Sequence, residues 1–183
     1  MSPSAPLSRG RPVEGQIIAV GVGELAVTDD ANTILATYAL GSCVAVCVWD
    51  PISRVAGLLH ALLPSADDHS GRARTQPAAF VDSGVRQLFE EAARRGLQKS
   101  RTVVHLLGGA ELERSSVPRL QIGRRNVLAA RKALWAAGVL VAGEAVGGQS
   151  PRSVSLRAGS GVVEIRTGLD RMVIEWEGSD GHQ

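Results

Sequence analysis

The residues of this chain best suited to chemistry are its two cysteines and four histidines. Cys43 follows Gly41-Ser42 in the segment LGSCVAVCVWDP, where a turn leads into an apolar, strand-like run. A thiol at the start of a strand lies near backbone N–H groups that can bind a developing oxyanion, and Gly41 leaves room for a bound molecule. The pattern also fits a structural thiol, because cysteine is among the most buried residue types. Cys47, surrounded by valines, is predicted to be a small buried hydrophobe.

His60 is the candidate base for Cys43. It lies in the apolar segment LLHALLP, where an imidazole without a hydrogen-bond partner costs about 1–3 kcal/mol. If the strands on either side of Asp50-Pro51 form a hairpin, Cys43 and His60 fall on neighbouring strands within about one residue of register. A thiol–imidazole pair needs such proximity. A core histidine bonded to backbone remains the alternative, and His105 in VVHLL is a rival base that local sequence does not link to Cys43.

The same residue types argue against a metal ion or a nucleotide cofactor. Cys43 and Cys47 lie four apart on one predicted strand, which separates them by about 13 Å. That distance is too long for a shared zinc ion or a disulfide. His69 lies in a polar loop and His182 in the C-terminal tail. Residues 21–23 (GVG) lack the third glycine and the following helix of a dinucleotide fingerprint. We therefore expect no metal and no cofactor.

Length and composition indicate an ordinary globular protein. The chain has 183 residues, of which 44% are hydrophobic and 21% charged, which suits a single well-buried domain. A net charge of +2 does not argue for nucleic-acid binding. No apolar stretch approaches the length of about 18 residues needed for membrane insertion, and the N-terminal segment lacks the apolar centre of a secretory signal. We expect a cytoplasmic protein with reduced thiols, with a flexible tail at 1–15, one domain at 16–177 and a tail at 178–183.

Hydrophobic patterning predicts many strands and two good helices. The strand-like segments are 16–27, 33–40, 43–49, 55–63, 102–107, 139–142, 153–157, 162–167 and 171–177. Apolar residues recur at helical spacing in 80–95 and 123–137, which end at Gly96 and Gly138. The segment 64–77 has no periodicity and is predicted to be a mobile loop. Because strands and helices do not alternate strictly, we predict an α/β fold of the α+β-like kind, a layered sandwich of mixed β-sheet with two main helices packed on it.

Several short blocks resemble the chemoreceptor glutamine deamidases of bacterial chemotaxis, the CheD family. The blocks are LGSCVAVCVWDP at 40–51, GLLHALLP at 57–64, Phe80-Val81-Asp82, LGGAE at 107–111, IGRRNV at 122–127 and Gly147-Gly148. They extend over most of the region 16–167. The sequence departs from the family at Phe80, where a tyrosine is usual, and at Gln149–Arg152, where the family tends to continue Gly-Arg. These departures concern surface loops and partner contacts more than the catalytic centre.

The resemblance implies roles for three residues. Cys43 would be the nucleophile, His60 the base, and Thr37 would orient the imidazole through its hydroxyl. Backbone N–H groups at or beside Ser42 and Cys43, with Gly41 preceding them, would stabilise the oxyanion. The domain at 16–177 would then be a deamidase domain that converts receptor glutamines to glutamates through a cysteine thioester. The resemblance also allows hydrolysis of glutamate methyl esters.

The implied partners are the cytoplasmic helices of chemotaxis receptors and, in addition, a CheC-type phosphatase; the 64–77 loop is a candidate rim of the site. A non-catalytic regulatory module that binds a CheC-type phosphatase is the main alternative function. A general thiol hydrolase of small amides is another. An activated Cys43 is expected to react with iodoacetamide well below the free-thiol pKa of about 8.5.

Overall fold

The structure, a computed structural model, describes residues 15–67, 70–111 and 121–175. Apart from Gly15, the predicted tails at 1–15 and 178–183 lie outside these ranges, as do His69 and His182. The strands are β1 (Gln16–Ala19), β2 (Glu24–Thr28), β3 (Thr33–Leu40), β4 (Val44–Trp49), β5 (Ala56–Ala61), β6 (Val103–Gly108), β7 (Gly143–Val146), β8 (Arg152–Arg157), β9 (Val163–Thr167) and β10 (Asp170–Ile174). The helices are α1 (Ser70–Thr75), α2 (Val81–Arg94) and α3 (Ile122–Ala136).

The strands form two five-stranded mixed sheets. The first has the order β1-β3-β8-β9-β10 and the second β2-β5-β4-β6-β7. Pairs β1–β3 and β6–β7 are parallel, and the other neighbours are antiparallel. The inner faces of the two sheets share one apolar cluster, which includes Leu35, Leu58, Leu107, Val154 and Ile165. Helices α2 and α3 cover the outer face of the second sheet in another cluster, which includes Val46, Leu59, Leu88 and Leu134.

The predicted fold class is confirmed: a layered α+β arrangement of mixed sheet carries two main helices. The predicted hairpin about Asp50-Pro51 is also confirmed, since β4 and β5 pair antiparallel across that turn. All six residues of β4 are buried, as expected of a continuously apolar strand between two packed layers. No helix within the described ranges is both long and apolar enough to cross a membrane.

The turn between β4 and β5 is held by the buried carboxylate of Asp50. Its Oδ1 accepts hydrogen bonds from the N–H of Ile52 at 2.9 Å and from Arg101 Nε at 2.7 Å, and its Oδ2 accepts from the N–H of Gln98 at 3.0 Å. Burial alone would raise the pKa of Asp50, but the Arg101 guanidinium and the backbone donors hold it well below its usual range. The carboxylate therefore stays ionised and fixes the turn that sets the hairpin register.

Three element predictions are wrong in detail. The run 16–27 forms two strands in different sheets, because the chain crosses between sheets at residues 20–23, where Gly23 has a φ of 77°. The strand predicted at 139–142 lies instead at Gly143–Val146, since Val139 packs into the helix-side cluster. The segment 64–77 contains helix α1, which at six residues is too short to show periodicity, and a 3-10 turn follows at Pro77–Ala79.

Candidate active site

The structure brings His60 and Thr37 together from different sheets. Thr37 on β3 and His60 on β5 both point into the layer between the sheets, where their exposed fractions are 0% and 1%. Thr37 Oγ1 lies 2.7 Å from His60 Nδ1 and 2.8 Å from the carbonyl oxygen of Val20. A hydroxyl has one proton to donate, and the Val20 carbonyl can only accept. Thr37 therefore donates to Val20 and accepts from His60.

This hydrogen-bond chain determines the tautomer of His60. Nδ1 must carry the ring proton in order to donate to Thr37, so Nε2 carries the lone pair. Nε2 is buried and has no hydrogen-bond partner among the residues that the structure describes, so it makes no hydrogen bond to the Cys43 thiol. Burial lowers the pKa of His60, while the Val20 carbonyl and the charge of Glu24 oppose the shift. The result is a neutral imidazole with a basic nitrogen free to accept a proton.

Cys43 lies immediately before β4, with its side chain in the same inter-sheet layer as His60. The register pairs Ala45 with His60. Cys43 therefore lies two positions along the chain from the residue directly opposite His60, one position more than predicted. Residues in this diagonal relation are about 7–8 Å apart at Cα, within reach of long side chains. Cys43 is 9% exposed. Its position at the end of the strand therefore leaves the thiol at the boundary of the core.

The thiol of Cys43 is held in its neutral form. Burial raises the pKa of Cys43, and the residue's own backbone N–H partly opposes that shift. The expected reaction with iodoacetamide well below the free-thiol pKa is therefore not favoured. With His60 also neutral, this pair suits proton transfer during attack on a substrate rather than a preformed thiolate–imidazolium pair.

The segment 41–43 is fixed through its carbonyl groups. The carbonyl oxygen of Gly41 accepts from the N–H of Ala110 at 2.8 Å, and that of Cys43 accepts from the N–H of Gly109 at 2.7 Å. The N–H groups of Ser42 and Cys43 donate to no backbone carbonyl in the described parts of the chain. Two donors beside the thiol are thus available to an anionic oxygen, as oxyanion stabilisation requires.

The glycine pair 108–109 allows this close approach. Both residues have positive φ values, 98° and 65°. A Cβ at Gly108 would lie 2.5 Å from the carbonyl oxygen of Cys43, and one at Gly109 would lie 2.4 Å from Cγ2 of Val127. The block LGGAE therefore serves contact with the Cys43 segment as well as the turn itself.

Two departures from the family pattern have clear structural positions. Phe80 is fully buried. Arg152 donates through its guanidinium to the carbonyl oxygens of Ala145 and Gly147, while the N–H of Gly147 donates to the carbonyl oxygen of Gly108 at 2.9 Å. The loop around Gly147 is thus tied to the strand end beside Cys43, so the departure near Arg152 reaches closer to the candidate site than a surface loop.

Other candidates lie apart from this site. His105 pairs with Cys47 across β6 and β4 rather than with Cys43. Within residues 15–67, 70–111 and 121–175, no group of three or more His, Cys, Asp and Glu side chains is placed to hold a metal ion.

Sequence reasoning missed Asn126 on α3, a fully buried residue whose side-chain amide bonds the carbonyl oxygen of Ser42. The signal was available, because a polar residue occupies a core-facing position beside Val127 and Ala130 on an otherwise apolar helix face.

Comparison with known proteins agrees with the resemblance read from the sequence. The family model described as CheD chemotactic sensory transduction matches residues 62–167. A protein of Solibacter usitatus is 43% identical over 144 residues, covering 79% of this chain and 85% of that protein. The chain belongs to the CheD family. The Solibacter relative carries the name "Probable chemoreceptor glutamine deamidase CheD".

Further CheD relatives match over most of their length. A protein of Syntrophus aciditrophicus is 37% identical over 84% of this chain and 94% of its own length, and one of Pyrococcus horikoshii is 37% identical over 86% and 96%. Both are named as chemoreceptor glutamine deamidases. Among solved structures, the hypothetical protein YfiH of Bacillus licheniformis matches with a TM-score of 0.43 and 16% identity, covering 76% of this chain and 62% of that one. A likeness at this level supports no argument about function.

Proposed function

We propose that this CheD-family chain is a protein-glutamine deamidase that converts glutamine side chains of chemotaxis receptors to glutamate, with Cys43 as nucleophile. The observation that carries the proposal is the Thr37–His60 hydrogen bond of 2.7 Å, which leaves Nε2 as a free base in the layer that also contains the thiol. The names of the relatives supply the substrate class.

The first half of the reaction forms a thioester. His60 Nε2 accepts the thiol proton as Cys43 Sγ attacks the carboxamide carbon of the glutamine side chain. Negative charge develops on the carboxamide oxygen, where the N–H groups of Ser42 and Cys43 stabilise it. His60 then returns the proton to the departing nitrogen, the C–N bond breaks, and ammonia leaves.

The second half releases glutamate. A water molecule attacks the thioester carbon while His60 Nε2 accepts one of its protons. The C–S bond then breaks, and His60 passes that proton to the departing sulfur, which restores the thiol and the neutral imidazole. Thr37 keeps the ring in the same tautomer through both halves, because its hydroxyl accepts from Nδ1. The product carries one more negative charge than the substrate. A glutamate methyl ester would pass through the same thioester with methanol as the leaving group, so we include esterase activity in the proposal.

The setting follows from the substrate. The family resemblance implies that the receptor glutamines lie on cytoplasmic helices, so the proposed enzyme is cytoplasmic and meets a helical protein surface. The family resemblance adds a CheC-type phosphatase as a proposed regulatory partner. A non-catalytic binding module would need no oriented base in the layer that contains the thiol, so the orientation of His60 favours the enzyme.

The decisive experiment is mass spectrometry of a purified chemoreceptor cytoplasmic fragment for the mass shift of Gln to Glu. We expect wild type to produce the shift and release ammonia, and Cys43→Ala to produce neither. Cys47→Ala is the matched control, since it removes the other thiol of the same strand and should remain active. Equal conversion by wild type and Cys43→Ala would end the assignment, and so would the absence of any shift with wild type.

A further inference from the structure

Asn126 joins the segments that carry the thiol and the base. Its Nδ2 lies 2.9 Å from the carbonyl oxygen of Ser42 and 3.0 Å from that of Leu62. Ser42 immediately precedes Cys43, and Leu62 lies two residues after His60. Because carbonyl oxygens only accept hydrogen bonds, the NH₂ group of the amide must face them, which fixes the orientation of the side chain.

The bond to Ser42 also fixes the direction of the Cys43 N–H. The peptide unit between these residues is planar and trans, so its C=O and N–H point in opposite directions. Asn126 approaches from α3, on the helix-covered face of the second sheet. With the carbonyl held toward that helix, the N–H of Cys43 points to the opposite face, where the thiol lies.

The neighbouring peptide is held in the same way. The carbonyl oxygen of Gly41 is bonded by the N–H of Ala110 at 2.8 Å, which orients the N–H of Ser42 in the peptide they share. Each of the two candidate oxyanion donors is therefore aimed by a bond to the carbonyl of its own peptide. The bond to the Ser42 carbonyl comes from the side chain of Asn126, so it can be removed by substitution.

Gly123 explains how α3 comes close enough for Asn126 to reach this peptide. A Cβ at Gly123 would lie 2.6 Å from the carbonyl oxygens of both Gly109 and Ala110. Gly123 and Asn126 are three residues apart and share a helix face. The absence of a side chain at Gly123 lets the first turn of α3 pack against the backbone of Gly109 and Ala110. This close packing brings Asn126 within hydrogen-bond distance of the Ser42 carbonyl.

We propose that Asn126 is a positioning residue for oxyanion stabilisation: by holding the Ser42 carbonyl it aims the Cys43 N–H at the oxygen on which charge develops. This inference rests on the proposed function, since it assigns a tetrahedral intermediate to the same site. Asn126 itself does not touch the substrate. Its bond to Leu62 ties the segment directly after the His60 strand to the same side chain.

The test compares two reactions of Cys43 that need no receptor. In acylation by p-nitrophenyl acetate, the thiol sulfur forms a bond to the ester carbon, the C–O bond breaks, p-nitrophenolate leaves and the thiol proton passes to His60. That reaction passes through an oxyanion. Alkylation by iodoacetamide displaces iodide directly and forms no oxyanion. Rates are measured by mass spectrometry of the Cys43 peptide, with Cys43→Ala as the background.

We expect Asn126→Ala and the similarly sized Asn126→Leu to slow acylation of Cys43 by about 10- to 100-fold, below the loss of about 100- to 1000-fold reported for removing an oxyanion donor outright. Alkylation by iodoacetamide should stay within about twofold in both variants, because it requires an accessible thiolate but forms no oxyanion. Arg131→Ala is the matched control: it removes the hydrogen bonds of α3 to Glu144 without touching the Ser42 carbonyl, and both rates should be unchanged.

Three results would overturn the inference: acylation unchanged in both variants, acylation and alkylation reduced by equal factors, or a wild type that is not acylated at all. Equal reduction indicates collapse of the site, which circular dichroism of the variants would show independently. Deamidation of the receptor fragment is scored separately. A wild type that is acylated at Cys43 but leaves receptor glutamines intact would refute the proposed function and leave the role of Asn126 standing.

Discussion

The second sheet contains two cysteine–histidine pairs on the face that packs against the first sheet. Cys43 and His60 are diagonal neighbours at the end of β4, whereas Cys47 and His105 are directly opposed in the middle of β4 and β6. By distance along the sheet alone, the second pair is the closer one. The two pairs share residue types, sheet and face, so any difference in chemistry must come from their surroundings.

Exposure and hydrogen bonding separate the pairs. Cys47 is 1% exposed, and burial raises its pKa to about 12, so it stays a thiol across the physiological range. Among the described residues no contact of the His105 ring nitrogens meets hydrogen-bond geometry, although the nearby Gly143 backbone opposes the lowering of its pKa by burial. His60, in contrast, is oriented by a 2.7 Å hydrogen bond with Thr37. Cys43 lies immediately before β4, where the N–H groups of Ser42 and Cys43 donate to no backbone carbonyl of the residues that the structure describes. In the proposed mechanism, the thiol–imidazole pair that reacts is therefore the one with a strand end and an orienting hydroxyl, rather than the directly opposed pair.

Substitution of the two histidines should reveal the largest difference in activity between the two cysteine–histidine pairs. We expect His60→Gln to lower kcat for ammonia release by about 1000-fold or more, because a general base contributes about 100- to 10,000-fold and the same nitrogen acts in both half-reactions. His105→Gln should retain kcat within about threefold. Steady-state ammonia release from a receptor fragment measures both. If the two variants lose activity equally, His105 belongs to the site and the distinction between the pairs is wrong.

Thr37→Val tests the orienting hydroxyl. Valine has nearly the same shape but cannot accept from Nδ1, so the ring loses its fixed tautomer. We expect kcat to fall by about 10- to 100-fold with KM little changed, since the hydrogen bond acts on the base rather than on substrate binding. Thr37→Ser, which keeps the hydroxyl, should recover most of the rate. A serine variant as slow as the valine variant contradicts the role.

Alkylation measures the two thiols against each other. At a pH of about 8, iodoacetamide should label Cys43 at least about 10 times faster than Cys47, because Cys47 is both more buried and less ionised. Peptide mass spectrometry over time gives both rates in one sample. Labelling should proceed from the native protein, with unfolded protein as the reference in which the two thiols react alike. Equal native rates would mean that the strand end gives Cys43 no access.

The pH profile of activity is the prediction with the smallest expected effect, and it tests the protonation state of His60. His60 must be neutral to accept a proton, and burial lowers its pKa below the usual value of about 6.5. The acid limb of kcat/KM should therefore have an apparent pKa below about 6.5. The unfolded chain takes up this proton first, so folded-state stability is full above about 6.5 and falls as the pH drops through the folded pKa. An acid limb above about 7 would contradict the lowered pKa of His60, whereas a thiolate–imidazolium pair would show itself by an alkaline limb, where the imidazolium loses its proton.

Much of the fold could be predicted because its signals are local. Strand β3 has the predicted bounds, and α2 and α3 begin and end within one residue of the predicted positions. The helices could be predicted because apolar residues at helical spacing indicate a helix whatever it packs against. The hairpin that brings β4 beside β5 follows from one turn signal at Asp50-Pro51. The division into two sheets was not predicted, because the crossing at residues 20–23 depends on which partners the flanking strands find.

The sequence by itself determined the family, the layered fold class and the candidates Cys43 and His60, since each rests on residue types and spacings along the chain. Only the tertiary structure decided which nitrogen of His60 is basic, that Cys47 lies beside His105, and that Asn126 reaches the peptide before Cys43. The bond between Thr37 and His60 joins residues 23 positions apart on different sheets. Contacts of that kind depend on how two sheets and a helix pack, and local sequence carries no record of them.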